Sequence, residues 1–263
     1  MRGGVNLVAQ LTDEERERGL VTASTGNHGQ SIAYAAQLFG VRAIVCVPEN
    51  ANPLKLEAMR GYGAELEERG VDFDDAREHA EELAREHGYR YIHSGNEPHL
   101  IAGVGTHTLE LLDEQPEVDV LVVPIGGGSG AAGACIVAKA LRPELRVVGV
   151  QSEAAPAAYR SWHEGALVED RMATFAEGLA TRTAFELPQR ILRELLDDFL
   201  LVGDDEIAAA VVHYLERART LAEPAGAAAL AAALRLRHEL EGRRVALILS
   251  GGNITLPQLR ALL

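Results

Sequence analysis

The sequence predicts an α/β protein built on parallel sheets. Three observations predict it: eight short β-branched or apolar runs recur along the 263 residues, amphipathic segments fall between them, and small-residue turns close three of the runs.

In chain order, "LVTAS" (20–24) reads as the first strand. It leads into "NHGQSIAYAAQLFG" (27–40), whose apolar residues keep helical spacing up to a stop at Gly40. "RAIVCVP" (42–48) is the second strand, and "NPLKLEAMRGYG" (52–63) is a helix starting near Pro53 and ending at glycines. "AELEE" (64–68) follows as a strand, then "DFDDAREHAEELAREHG" (72–88), a charged helix with Ala76, Ala80, Leu83 and Ala84 on its buried stripe. "RYIHS" (90–94), "VLVVPIG" (120–126), "RVVGVQS" (146–152), "FLLVG" (199–203) and "VALILSGG" (245–252) complete the strands. The alanine-rich "AEPAGAAALAAALRLRHELEG" (222–242) reads as a helix packed closely on a sheet. The expected division is a small α/β domain over 19–97 and a large one over 98–263, with a stub at 1–18 belonging to the larger.

Composition narrows the function classes. With 47% hydrophobic residues and 26 glycines the chain can bury a sizeable core. No stretch has the length and apolarity of a membrane span, and the N-terminus lacks a signal pattern, so a cytoplasmic protein is expected. Basic residues number 25 against 39 acidic, a net charge of −14, which argues against a nucleic-acid partner. Cys46 and Cys135 sit in apolar surroundings and read as small buried residues. The lysines are Lys55 and Lys139 alone.

"PIGGGSGAAGA" (124–134) follows the strongest strand and opens a helix, so its N–H groups can converge on a phosphate. A dinucleotide turn has similar spacing, and the next strand's end at Gln151, Ser152 and Glu153 does not exclude it. "STGNHG" (24–29) offers hydroxyls, an amide and N–H donors to an anionic group such as a carboxylate, or serves as a plain helix cap. "LSGGN" (249–253) alone would be a turn. Together the three turns fit the rule that such sheets bind ligands at their C-terminal edge.

"TASTGNHGQ", "NPLKLEAMRGYGAE", "IAGVGT", "VVPIGGGSG", "FAEGLA", "EPAGAAAL" and "LSGGN" occur in order. In this the chain resembles, nearly end to end, the pyridoxal-phosphate enzymes of the tryptophan-synthase-β fold, in the branch of threonine/serine dehydratases and serine racemases. The resemblance implies two open, twisted, mostly parallel sheets flanked by helices, pyridoxal 5'-phosphate as cofactor, and a small amino acid as substrate. It implies a homodimer or higher homo-oligomer. Asn27 would bond the cofactor's phenolic oxygen, and Gly126, Gly127, Gly128, Ser129 and Gly130 its phosphate. Ser250 would meet the pyridine nitrogen, making the ring a weaker electron sink than a carboxylate would, which favours β-elimination. Ser24, Thr25, Gly26 and His28 would line the substrate-carboxylate loop. Thr25 stands where racemases often have an acid/base serine, which tilts the reading toward dehydratase although a threonine hydroxyl can do similar work, and Glu177 stands where many relatives have aspartate; both are candidate catalytic residues.

Several positions depart from the family pattern. The divalent-metal positions of racemase-like members read Gln151 and Ala157, so no metal site is expected, and Val104 replaces a common glutamine. The family's Schiff-base lysine lies in a Ser-Phe-Lys-x-Arg-Gly pattern of which Met1, Arg2 and Gly3 fill only the end, placing that lysine just before Met1. A start assigned at an internal methionine and a genuine truncation without lyase activity are the two readings; the intact remaining motifs favour the first. Lys55 and Lys139 are expected to be solvated surface residues out of reach of the cofactor. The expected activity is deamination of threonine or serine to a 2-oxo acid and ammonia, absent from the chain as given for want of the lysine. Serine racemase and threonine synthase are rivals within the fold, cysteine synthase fits less well, and a non-catalytic amino-acid- or nucleotide-binding protein is the rival from another class.

Overall fold

In the computed structural model, which describes residues 1–49 and 51–263, all eight predicted strands form, in two four-stranded sheets. The chain divides into two units, Met1–Gly103 and Val104–Leu263.

The first unit contains α1 (Arg2–Ala9), α2 (Asp13–Arg18), β1 (Leu20–Ala23), α3 (Asn27–Phe39), β2 (Ala43–Val47), α4 (Pro53–Gly61), β3 (Glu65–Glu68), α5 (Phe73–His87) and β4 (Arg90–Ile92). Its sheet has the order β3-β2-β1-β4, with every pairing parallel. β1 and β2 are buried throughout, while the glutamate-rich β3 forms a charged edge that discourages pairing with another chain. Ala76 and Ala80 of α5 are fully buried and Leu83 and Ala84 pack beside them, as the periodicity predicts.

Residues 1–18 fall within the first unit. α1 lies against α3 with Leu7 and Val8 buried, the Gly4 N–H donating to Ser31 Oγ at 3.3 Å and Ser31 Oγ to the Met1 carbonyl at 3.2 Å. Gly4 leaves α1 flat on that side, where a Cβ would strike the Ser31 carbonyl, so the two backbones approach closely. Arg16 then caps α1, donating to the carbonyls of Leu11, Val8 and Ala9. The boundary after this unit falls at Gly103, within α6 (Pro98–Glu114), six residues beyond the expected end.

The second unit contains β5 (Val120–Pro124), α7 (Ser129–Leu141), β6 (Arg146–Ser152), α8 (Ala157–Glu164), α9 (Glu186–Leu195), β7 (Asp198–Val202), α10 (Asp204–His213), α11 (Pro224–Arg235), β8 (Val245–Leu247) and α12 (Leu256–Leu262). Its sheet, also all parallel, runs β7-β6-β5-β8. Alternation along β5 decides the two cores: Val120 and Val122 join the alanines of α11, while Leu121 and Val123 join Ala131, Ala134, Cys135 and Ala138 of α7. Both cysteines are buried and unoxidised, with burial pushing each thiol up to about 12. Among the described residues no helix is long and apolar enough to cross a membrane.

Candidate functional site

Each unit delivers a small-residue turn from a strand whose neighbours lie on opposite sides in chain order. β1 sits between β2 and β4, and β5 between β6 and β8, so the turns after β1 and β5 stand at the switch points where helices leave the sheet in opposite directions.

In the first unit the turn is held by its own serine. Ser24 is 3% exposed, and its Oγ accepts the N–H groups of Gly26 at 3.0 Å and Gly29 at 2.8 Å. Its lone pairs thus brace the turn, and only its hydroxyl proton remains to give. Thr25 and Asn27 are exposed at the tip and His28 is half-buried. The Thr22 hydroxyl donates to the Ile92 carbonyl at 2.7 Å, so in its 2.9 Å contact with His28 Nε2 it accepts, which assigns the ring proton to Nε2. Burial, and then the neighbouring His93, push His28 down to about 4; burial, and then Arg77, do the same to His93. Both rings are neutral at pH 7.

The structure corrects the expectation for both lysines. Lys55 is only 8% exposed, and its side chain runs over Gly26. It shares the buried face of α4 with Leu56 and Met59, and its i,i+4 spacing to Met59 is the sequence signal that locates it. Lys139 is half-buried, its Nζ donating to Asp197 at 2.6 Å and to the Leu145 carbonyl at 2.8 Å.

In the second unit the turn is almost pure backbone. Gly128, with φ +91°, takes the left-handed conformation at the N-cap of α7, where a side chain would be strained. Among the described residues, the N–H groups of Gly126 to Gly130 make no hydrogen bond, while the helix ladder begins with Ala132 N–H to the Gly128 carbonyl at 2.9 Å. A Cβ on Gly126 would strike the Gly178 carbonyl and one on Gly127 the Phe185 ring. The turn is therefore a bare cradle of donors at a helix N-terminus, and this donor set fits a phosphate.

Because β8 pairs directly with β5, the Ser250 turn emerges at the same sheet edge, with Ser250 exposed. The buried Glu223 fixes that turn: its N–H donates to the Gly251 carbonyl at 3.0 Å and its Oε2 accepts the Asn253 N–H at 3.1 Å. Glu177 is exposed on the 3-10 turn Glu177–Leu179, with Oε1 accepting from Gln258 Nε2 at 3.1 Å. Asp204 anchors the approach to it, accepting from Ser152 Oγ, Thr174 Oγ1 and the Phe175 N–H. Sequence reading missed the supports Glu223 and Asp204. Glu223 carries a signal in the buried acid before the proline of α11, whereas Asp204 reads as an ordinary first-turn acid. Val104 lies beside Gly130. Gln151 is wholly buried, its Oε1 accepting the Tyr159 N–H at 2.9 Å, and Ala157 is buried at the start of α8. Among the described residues no group of three or more His, Cys, Asp or Glu side chains is placed to hold a metal ion.

Two parallel sheets with small-residue turns at their switch points are an architecture shared by cofactor-dependent α/β enzymes. The family model described as pyridoxal-phosphate dependent enzyme matches residues 1–251, and the chain belongs to that family. It is 40% identical over 256 residues to an L-threonine ammonia-lyase of Thermotoga maritima, covering 97% of this chain. The chain spans 63% of that relative's length and about half the length of several others. Among solved structures, the processed form of threonine deaminase isoform 2 from Solanum lycopersicum matches with a TM-score of 0.94 at 32% identity, covering 99% of this chain and 77% of that one. Serine racemase from Dictyostelium discoideum matches with a TM-score of 0.90 at 36% identity, covering 97% and 83%.

Proposed function

We propose that these residues belong to a pyridoxal-phosphate-dependent ammonia-lyase that converts threonine or serine to a 2-oxo acid and ammonia. The observation that carries the reading is the row of uncommitted N–H groups from Gly126 to Gly130 at the start of α7, a phosphate cradle in a chain akin to a threonine ammonia-lyase. When bound, the cofactor withdraws electrons from the substrate's α-carbon and so eases loss of its proton and of the β-hydroxyl. The chain's own residues then bind and orient. Gly126 to Gly130, with Ser129, hold the phosphate, Asn27 holds the ring oxygen, and Ser250 meets the ring nitrogen without charging it. Ser24 keeps the carboxylate turn in shape, Gly26 and His28 line it, and Thr25 and Glu177 move protons at the substrate.

Two buried free thiols fit a reducing, cytoplasmic compartment. Leu109 and Leu141, half-exposed around one cleft of the second unit, fit a homo-oligomer. A second reading is serine racemase, favoured by the likeness to the Dictyostelium enzyme.

The test joins a Ser-Phe-Lys-bearing segment ahead of Met1. Threonine and serine should then yield 2-oxo acid, and serine left over should stay L on chiral analysis; D-serine in its place selects the racemase. Asn27→Ala should weaken cofactor retention and Thr25→Ala should slow turnover while sparing retention. Equal loss of cofactor in both variants overturns the division of roles.

A further inference from the structure

The turn after β1 has a charged neighbour that its own residues do not supply. Measured from the point where a Cβ on Gly26 would stand, the nearest atoms are Lys55 Cδ at 2.9 Å, Nζ at 3.2 Å and Cε at 3.3 Å. The lysine stem is therefore laid across the turn with its ammonium beside the backbone. Any side chain at residue 26 would push it off. The arrangement is fixed from both sides. Leu56 and Met59 bury the same face of α4, and Asn52 caps that helix by accepting the Leu54 N–H at 3.0 Å. Ser24 Oγ grips the N–H groups of Gly26 and Gly29.

Burying an ammonium group costs free energy, and ionisable groups held buried beside a ligand turn are a mark of charge recognition. Of the other positive groups near the turn, the Met1 α-ammonium acts on His28, His28 itself is neutral at pH 7, and the N-terminus of the 13-residue α3 contributes a partial positive charge only; Lys55 is the one laid against the Gly26 backbone.

Resting on the reading of this turn as the carboxylate site, we propose that Lys55 is the cation of that site. Its ammonium, standing behind Gly26, sets the turn's preference for an ionised carboxylate over a neutral group of the same shape. It is a positioning residue, acting through the Gly26 backbone and its own field. Its stem and its charge are separable contributions, and selectivity belongs to the charge.

The experiment titrates the full chain, loaded with pyridoxal phosphate, with propionate and with propionamide by calorimetry. Wild-type protein should bind propionate at least about tenfold more tightly than propionamide. Lys55→Met, which keeps most of the stem and removes the charge, should erase most of that ratio at a nearly unchanged melting temperature, and Lys55→Arg should restore part of it. Gly26→Ala, which displaces the ammonium without deleting it, should lower the ratio independently. An unchanged ratio in Lys55→Met or in Gly26→Ala overturns the assignment, and a wild-type ratio near one does so with no variant at all. Borohydride reduction that labels Lys55 with the cofactor also overturns it, by making Lys55 the amine that meets the aldehyde. Loaded wild-type protein that binds no propionate overturns the carboxylate reading of the turn itself; propionate binding with an equal ratio in Lys55→Met overturns Lys55 alone.

Discussion

The two units have the same sheet plan, β3-β2-β1-β4 in one and β7-β6-β5-β8 in the other, yet their switch-point turns are built oppositely. In the first unit side chains make the turn: Ser24 braces it, Lys55 lies across it, and Thr25 and Asn27 stand at its tip. In the second unit the backbone makes it, and its glycines serve by having nothing beyond Cα. Identical topology fixes where a ligand can bind, while the chemistry of the turn fixes what kind. A phosphate satisfies many N–H groups at once and needs no selection by side chain, whereas distinguishing one amino acid from another does.

The largest expected effect breaks the backbone turn. Gly127→Val would drive branched carbons against the Phe185 ring and fill the cradle, so pyridoxal phosphate affinity should fall by on the order of a hundredfold or more, read by fluorescence titration. Affinity within threefold of wild type would mean the phosphate sits elsewhere.

Next, the two serines separate the two designs. Ser24→Ala removes the acceptor of two buried N–H groups and should cost about 1–3 kcal/mol in urea unfolding. Ser129, half-buried and making no hydrogen bond among the described residues, should cost under about 0.5 kcal/mol as Ser129→Ala. Equal costs would erase the contrast.

Acid should act on the first unit. His28 and His93 titrate near 4 when folded against 6.5 unfolded, so between those values the unfolded chain binds more protons. The stability they contribute is full above pH 6.5 and is lost as pH falls toward 4. Hydrogen-exchange protection, taken relative to the intrinsic rate at each pH, should therefore fall over this window more in β1 and β4 than in β5 and β6, with His28→Gln reducing the difference. An equal loss of protection in both sheets would contradict it.

The smallest effect is global: at a net charge of −14, moderate salt should raise the melting temperature slightly by screening surface repulsion. A melting temperature that stays flat or falls would show that attractive ion pairs, such as Arg42 with Glu65 at 2.7 Å, outweigh it.

The sequence by itself determined the eight strands, the helices behind the glycine stops, and the three turns, because each rests on patterns confined to a few neighbouring residues. The continuous apolar run of β5, a capping asparagine at Asn52 and a glycine at each turn are local physics. Tertiary structure alone decided the rest. The seat of residues 1–18 depended on α1 meeting Ser31 of α3, the rigidity of the Ser250 turn on Glu223 nearly thirty residues earlier, and the position of Lys55 on what lay opposite it. A lysine on an amphipathic helix is solvated unless the face it shares is covered. The cover here is Gly26, a residue twenty-nine positions away whose missing side chain carries no signal of its own until the backbone is folded around it.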